Sequence, residues 1–276
     1  KNFEQLKNLI FEIKKIFSDD YYPILIDEEG GNISRLKKFI DNSLFSSKYF
    51  GKLYTKNKSK YLLYYSVYIK QISYLLNVLG ININTVPVLD IRRKITNKVI
   101  GSRSFSSNKK VVSNIGDKCI NLFHHNKIAC VVKHIPGHGL AKVDSHKKLP
   151  VVNHNLNYLL QNDFSVFRNK KSILSMTAHV LFKKIDPINC ATHSSKVIQI
   201  IRKDIKYKHL IITDDISMKA LKDSISINTR KAFEAGCDLV LHCNGNIDEM
   251  KKVAKNSSKI NKFIIKKTYQ LINIIR

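Results

Sequence analysis

Apolar positions follow two alternating rhythms along the chain. Over 2–17, Phe3, Leu6, Leu9, Ile10, Ile13, Ile16 and Phe17 recur at the spacing of an amphipathic helix. The next apolar run, Tyr22-Pro23-Ile24-Leu25-Ile26, is short and reads as a strand; it stops at Asp27-Glu28-Glu29-Gly30-Gly31. The alternation then repeats. Most of 52–78 reads as helix, and 81–89 as a strand ending at Asp90. A polar loop follows, holding Gly101-Ser102-Arg103-Ser104-Phe105. Helices are expected over 109–126, 155–167, 194–205 and 229–234, with a helical tail over 247–275. Strands are expected over 129–134, 172–177, 209–213 and 238–241. Strand-then-helix order with short connections predicts a parallel sheet covered by helices. Every strand ends in polar or charged residues, and in a (β/α) barrel such ends surround one pocket. The expected fold is therefore α/β, a single TIM-type (β/α) barrel over 1–276. Six strands fall short of eight, so at least one is expected to precede residue 1.

Composition changes this picture little. With 43% hydrophobic and 25% charged residues the chain is globular. Its net charge of +27 invites a nucleic-acid reading. However, only eight of the 48 basic residues are Arg, and the lysines are spread evenly among many Asn and Ile. That distribution fits a solvated lysine-rich surface, with no specific nucleic-acid partner. Five cysteines form no CxxC pair, as expected for free buried thiols in a reducing compartment. The apolar stretch 61–81 has Lys70 and Gln71 at its centre, so it suits a buried helix and not a membrane span. No signal peptide is visible, and the first residue is Lys1 and not Met, as in a fragment.

Titratable residues are densest after the strand 129–134. Lys133-His134-Ile135-Pro136-Gly137-His138-Gly139 leads into Asp144-Ser145-His146, with two Lys, three His and one Asp within fourteen residues. Packing asks for none of them. Pro136 and the glycines end the strand, and Gly137 and Gly139 are candidate hinges of a moving loop. Asp144 and His146 are two apart, so in an extended loop they share one side. The carboxylate can then hold one imidazole nitrogen while the other exchanges a proton near neutral pH. An idle surface pair is the alternative. Asp215 suits a cap for the following helix. Asp214 is then spare, either for a salt bridge or as the nucleophile that forms a covalent glycosyl intermediate. Asp27, Arg35 and Arg103 suit polyol hydrogen bonding or structural ion pairs. Lys133 and His134 suit substrate hydroxyls. His134 and His138 lie four apart across a Pro-Gly break without a carboxylate cluster, which is poor metal-ligand spacing.

Taken together, these stretches resemble glycoside hydrolase family 3, specifically its bacterial β-N-acetylhexosaminidase branch, over about 24–246. Ile26-Asp27-Glu28-Glu29-Gly30-Gly31-Asn32-Ile33-Ser34-Arg35 is similar to I-D-x-E-G-G-R-V-x-R, although Asn32 replaces an Arg. Pro87-Val88-Leu89-Asp90 is similar to P-V-L-D, and Gly101 to Phe105 to G-x-R-[SA]-F. Lys133 to Gly139 resembles K-H-F-P-G-H-G, continued in register by Asp144-Ser145-His146. Met176-Thr177-Ala178-His179, Thr213-Asp214-Asp215 and Ala235-Gly236-Cys237-Asp238 match later segments. The resemblance implies a retaining β-N-acetylglucosaminidase without metal or organic cofactor. It implies Asp214 as nucleophile, His146 as acid/base and Asp144 as its orienter. Asp27, Arg35, Arg103, Lys133 and His134 are implied as sugar-binding residues. The implied substrate is a carbohydrate with a terminal β-linked N-acetylglucosamine, in particular the muropeptide N-acetylglucosaminyl-1,6-anhydro-N-acetylmuramyl peptide. A cytoplasmic monomer in peptidoglycan recycling is expected. A phosphorylase of the same family and a non-catalytic polyanion-binding protein are the rival readings.

Overall fold

A computed structural model describes residues 2–93 and 100–276. The middle of the polar loop expected after Asp90 lies outside the described residues. In chain order the strands are β1 (Leu25–Ile26), β2 (Ile83–Asn84), β3 (Ala129–Ile135), β4 (Val151–Val152), β5 (Leu174–Thr177), β6 (Leu181–Phe182), β7 (Leu210–Asp215) and β8 (Leu239–Leu241). Six of them form one sheet in the order β1-β2-β3-β5-β7-β8, parallel throughout. These are the six strands expected from the apolar runs. The sheet curls into an open (β/α) barrel whose edges, β1 and β8, are not paired with each other. The pair β4–β6 stands apart and was not anticipated; two-residue strands leave no periodic signal.

The helices are α1 (Phe3–Ile16), α2 (Ser47–Lys56), α3 (Lys58–Leu79), α4 (Lys109–His125), α5 (Leu156–Gln161), α6 (Ser195–Lys203), α7 (Ile225–Ala235), α8 (Ile247–Asn256) and α9 (Lys262–Ile275). Each of these helices starts on an Asn or Ser whose side chain accepts a first-turn backbone N–H. Such caps are worth about 1 kcal/mol each. Asn57 explains why 52–78 is not one helix: its extended backbone ends α2 while its side chain caps α3. The expected helix 155–167 is α5 followed by a 3-10 turn over Asp163–Phe167. The apolar stretch 61–81 lies mostly in α3, which buries Tyr61, Tyr65, Ile69, Ile72 and Leu76. No helix among the described residues is long and apolar enough to cross a membrane.

All seven residues of β3 are buried, so the sheet is covered on both faces. Alternate residues serve different cores. Cys130 and Val132 join the larger cluster beneath the outer helices, while Ala129 and Val131 join a smaller one inside the barrel. The inner cluster is where the tail departs from expectation. Residues 257–261 break it, and α9 sets Ile264, Leu271 and Ile275 against Ile83, Val131, Leu174 and Leu210. At one end of α9, Arg202 lies over the Phe263 ring and Lys267 reaches His209, just before β7. At the other end Arg276 lies over Tyr21, just before β1. So α9 crosses the mouth at the strands' N-terminal ends, leaving the C-terminal ends open to solvent.

Candidate active site

Those open ends gather the candidate site residues. Asp27 follows β1, Lys133 and His134 end β3, and Asp214 lies near the end of β7. With Arg35, Arg103 and His146 they line one cavity of about 210 Å³. Seven of the eight residues singled out from the sequence therefore meet there. The eighth, Asp144, stands directly behind His146.

Lys133 is the hub on one side. Its side chain is 3% exposed, and its ammonium contacts Glu29 Oε1 at 2.7 Å, Thr85 Oγ1 at 2.8 Å and Asp27 Oδ1 at 3.0 Å. Burial lowers the Lys133 pKa, but Glu29 and Asp27 outweigh it and the net shift is upward, so the charge is permanent. Arg103 grips Glu29 through Nε and Nη2, both at 2.8 Å, a two-point fork. Burial raises the Glu29 pKa; Lys133 and Arg103 reverse this and hold it at about 2. Asp27 is likewise held below its usual range against burial, by Lys133, the Thr85 hydroxyl and Arg35. Arg35 is the outlying member, 3.6 Å from Asp27 and mostly exposed. Its loop is shaped by Glu28, whose Oε2 accepts from Ser34 Oγ and from the backbone N–H of Arg35 and Leu36.

His134 stands between two carboxylates. Its Nδ1 is 2.7 Å from Asp90 Oδ2, and its Nε2 is 4.0 Å from Asp214 Oδ2. Burial raises the Asp214 pKa; His179, His134, the Asp215 N–H and Lys133 reverse this and keep it below the usual carboxylate range. Of these, Lys133 is the dependable cation. Burial lowers the His179 pKa, and its Nε2 is spent on the Asp215 carbonyl at 3.0 Å.

Asp215 does not cap the next helix. It accepts from the Ser217 N–H and hydroxyl and closes a local turn, while Ser224 caps α7. A carboxylate two residues before a Ser binds that N–H more readily than a helix ten residues away. Asp144 Oδ1 accepts from both the N–H and Nδ1 of His146, at 2.9 and 3.0 Å. That fixes the hydrogen on Nδ1 and leaves Nε2 free; the ring is 66% exposed. The Ser145 carbonyl accepts from Ala220 N–H, tying this loop to the chain beyond β7. Gly137 and Gly139 are not open hinges. A Cβ on Gly139 would lie 2.3 Å from the Ile91 carbonyl oxygen, and one on Gly137 would lie 3.0 Å from Asp163 Cβ. They permit close packing of the loop against Ile91 and Asp163.

Glu29, Thr85 and Asp90 belong to the site although no role was assigned to them from the sequence. Their signal was position alone: each lies in a stretch following β1 or β2. Cys243 also differs from expectation, being exposed at the cavity rim and not buried.

The model of the glycosyl hydrolase family 3 N-terminal domain matches residues 4–273. The chain belongs to glycosyl hydrolase family 3. Its family-3 relatives include a β-hexosaminidase from Neisseria meningitidis serogroup A, 31% identical over 255 residues, covering 88% of this chain and 68% of the relative. β-Hexosaminidase A of Pseudoalteromonas piscicida is 30% identical over 236 residues, covering 79% of this chain; the chain spans only 39% of that protein. Among solved family-3 structures, NagZ from Neisseria gonorrhoeae in complex with N-trifluoroacetyl-D-glucosamine is similar with a TM-score of 0.84 and 29% identity. That match covers 99% of this chain and 79% of NagZ. These similarities place the chain on the β-N-acetylhexosaminidase branch of the family, among glycosidases.

Proposed function

We propose that the cavity performs retaining hydrolysis of terminal β-linked N-acetylglucosamine. Asp214 attacks the anomeric carbon while His146, protonated, gives its Nε2 proton to the departing oxygen. The glycosidic bond breaks, and a glycosyl ester forms on Asp214 Oδ. His146, now neutral, takes a proton from water; the water oxygen attacks the anomeric carbon and releases Asp214. Asp144 keeps the imidazole oriented and stabilises its charged form. Asp27, Arg35, Arg103, Lys133 and His134 bind the sugar hydroxyls.

The observation that carries this reading is one cavity holding an ionised, half-buried carboxylate and an exposed Asp-braced imidazole. The natural substrate we propose is N-acetylglucosaminyl-1,6-anhydro-N-acetylmuramyl peptide, cleaved in the cytoplasm during peptidoglycan recycling. The named β-hexosaminidase relatives support the sugar. Hydrolysis of a chromogenic β-N-acetylglucosaminide, with the β-glucoside beside it, tests the proposal. Cleavage of the first alone, lost in Asp214→Asn, is the expected result. Equal cleavage of both, or full activity in the variant, contradicts it. Repeating the assay in phosphate distinguishes hydrolysis from phosphorolysis, since only the latter yields a sugar phosphate.

A further inference from the structure

Asp90 is 1% exposed at the end of the segment after β2 and touches nothing that reacts. Its two carboxylate oxygens are both engaged. Oδ1 accepts the His138 backbone N–H at 2.6 Å, and Oδ2 meets His134 Nδ1 at 2.7 Å. Burial raises the Asp90 pKa, but its hydrogen bonds with His134 and the His138 backbone N–H oppose this and the net shift is downward, so the carboxylate can only accept. His134 Nδ1 must therefore carry a hydrogen. Its Nε2, 4.0 Å from Asp214 Oδ2, is too far away for a hydrogen bond with the nucleophile. It lies on the cavity wall beside Lys133, which can only donate.

We propose that Asp90 is a positioning residue: it locks the neutral His134 ring as the Nδ1–H tautomer, so that Nε2 is a bare acceptor for a sugar O–H next to Asp214. Lys133 and His134 then form a donor–acceptor pair that recognises hydroxyl groups and not isosteric groups lacking the hydrogen. This deepens the hydrolase reading and rests on it for the identity of the sugar.

Asp90→Asn tests the proposal because it changes hydrogens with little change of shape. The His138 N–H can only donate, so it claims the single amide oxygen of the new side chain. The amide NH₂ then faces His134 Nδ1, which must become an acceptor, and the ring hydrogen moves to Nε2. Nitrogen-15 NMR of the histidine rings, with the His134 signals assigned by their loss in His134→Gln, reads the tautomer directly. The expected result for the neutral ring, recorded at alkaline pH, is Nδ1–H in the wild type and Nε2–H in Asp90→Asn. Kinetics give the second readout. Loss of one oriented polar contact lowers kcat/KM about 10²-fold. A deoxyfluoro sugar that lacks the O–H seen by His134 should be penalised in the wild type and not further in the variant. A wild-type ring with its hydrogen on Nε2, the same tautomer in both proteins, or an equal loss on every sugar overturns the proposal. If the wild type cleaves no β-N-acetylglucosaminide, the hydrolase reading fails, and the NMR comparison still decides the tautomer.

Discussion

At the scale of single residues, the part of the site around Glu29 and Lys133 is a set of buried charges that cannot be separated without cost. Glu29 holds both Lys133 and Arg103. Glu29→Gln leaves two buried cations short of a partner, and breaking such a pair costs about 3–5 kcal/mol. Urea unfolding at pH 7 should show that loss, together with a raised KM. The pH dependence has a defined sign. Glu29 has a folded pKa of about 2 against an ordinary 4.5, so its contribution is complete above about 4.5. It is lost as the pH falls towards about 2, and the gap between wild type and variant should close over that window. A gap that widens on acidification would contradict the ion-pair account. His146→Ala tests the acid/base. It should lower kcat by roughly 10²–10⁴ on a sugar with a basic leaving group, and far less on a nitrophenyl glycoside that leaves unaided. Equal losses on both would show that His146 does not protonate the leaving oxygen. Most of these residues were legible in the sequence because strand-end charges have no packing purpose. Glu29 and Asp90 stand at strand ends too, but their roles were not legible, since a carboxylate's partner far along the chain leaves no local pattern.

At the scale of elements, the two ends of the strands have separate duties. Loops at the C-terminal ends carry the residues proposed to react, and α9 fills the opposite mouth. Leu271 is 5% exposed within the inner cluster. Leu271→Ala should therefore cost about 2–5 kcal/mol of stability through lost burial and a cavity. KM should stay within about twofold, as the site is at the far end of the barrel; thermal unfolding and steady-state kinetics on one preparation check both. A large KM change with intact stability would mean that α9 acts on the site. Strand and helix types were readable from periodicity, and the joints were not. The breaks at Asn57 and across 257–261 depend on capping and tertiary docking, which a run of apolar residues does not encode.

At the scale of the whole molecule, parallel strand order and strand-end charges together foreshadow the open barrel and the seven residues that line one cavity. The extreme positive charge gave none of this, because lysines spread over a surface do not position anything. The central claim is that Asp214 becomes covalently attached to the sugar. Mass spectrometry of the protein quenched during turnover of a slow, fluorine-deactivated β-N-acetylglucosaminyl substrate tests it most directly. The account predicts one added N-acetylglucosaminyl derivative on the peptide containing Asp214, absent from Asp214→Asn. A label on another residue, or turnover with inverted configuration and no label, would contradict it.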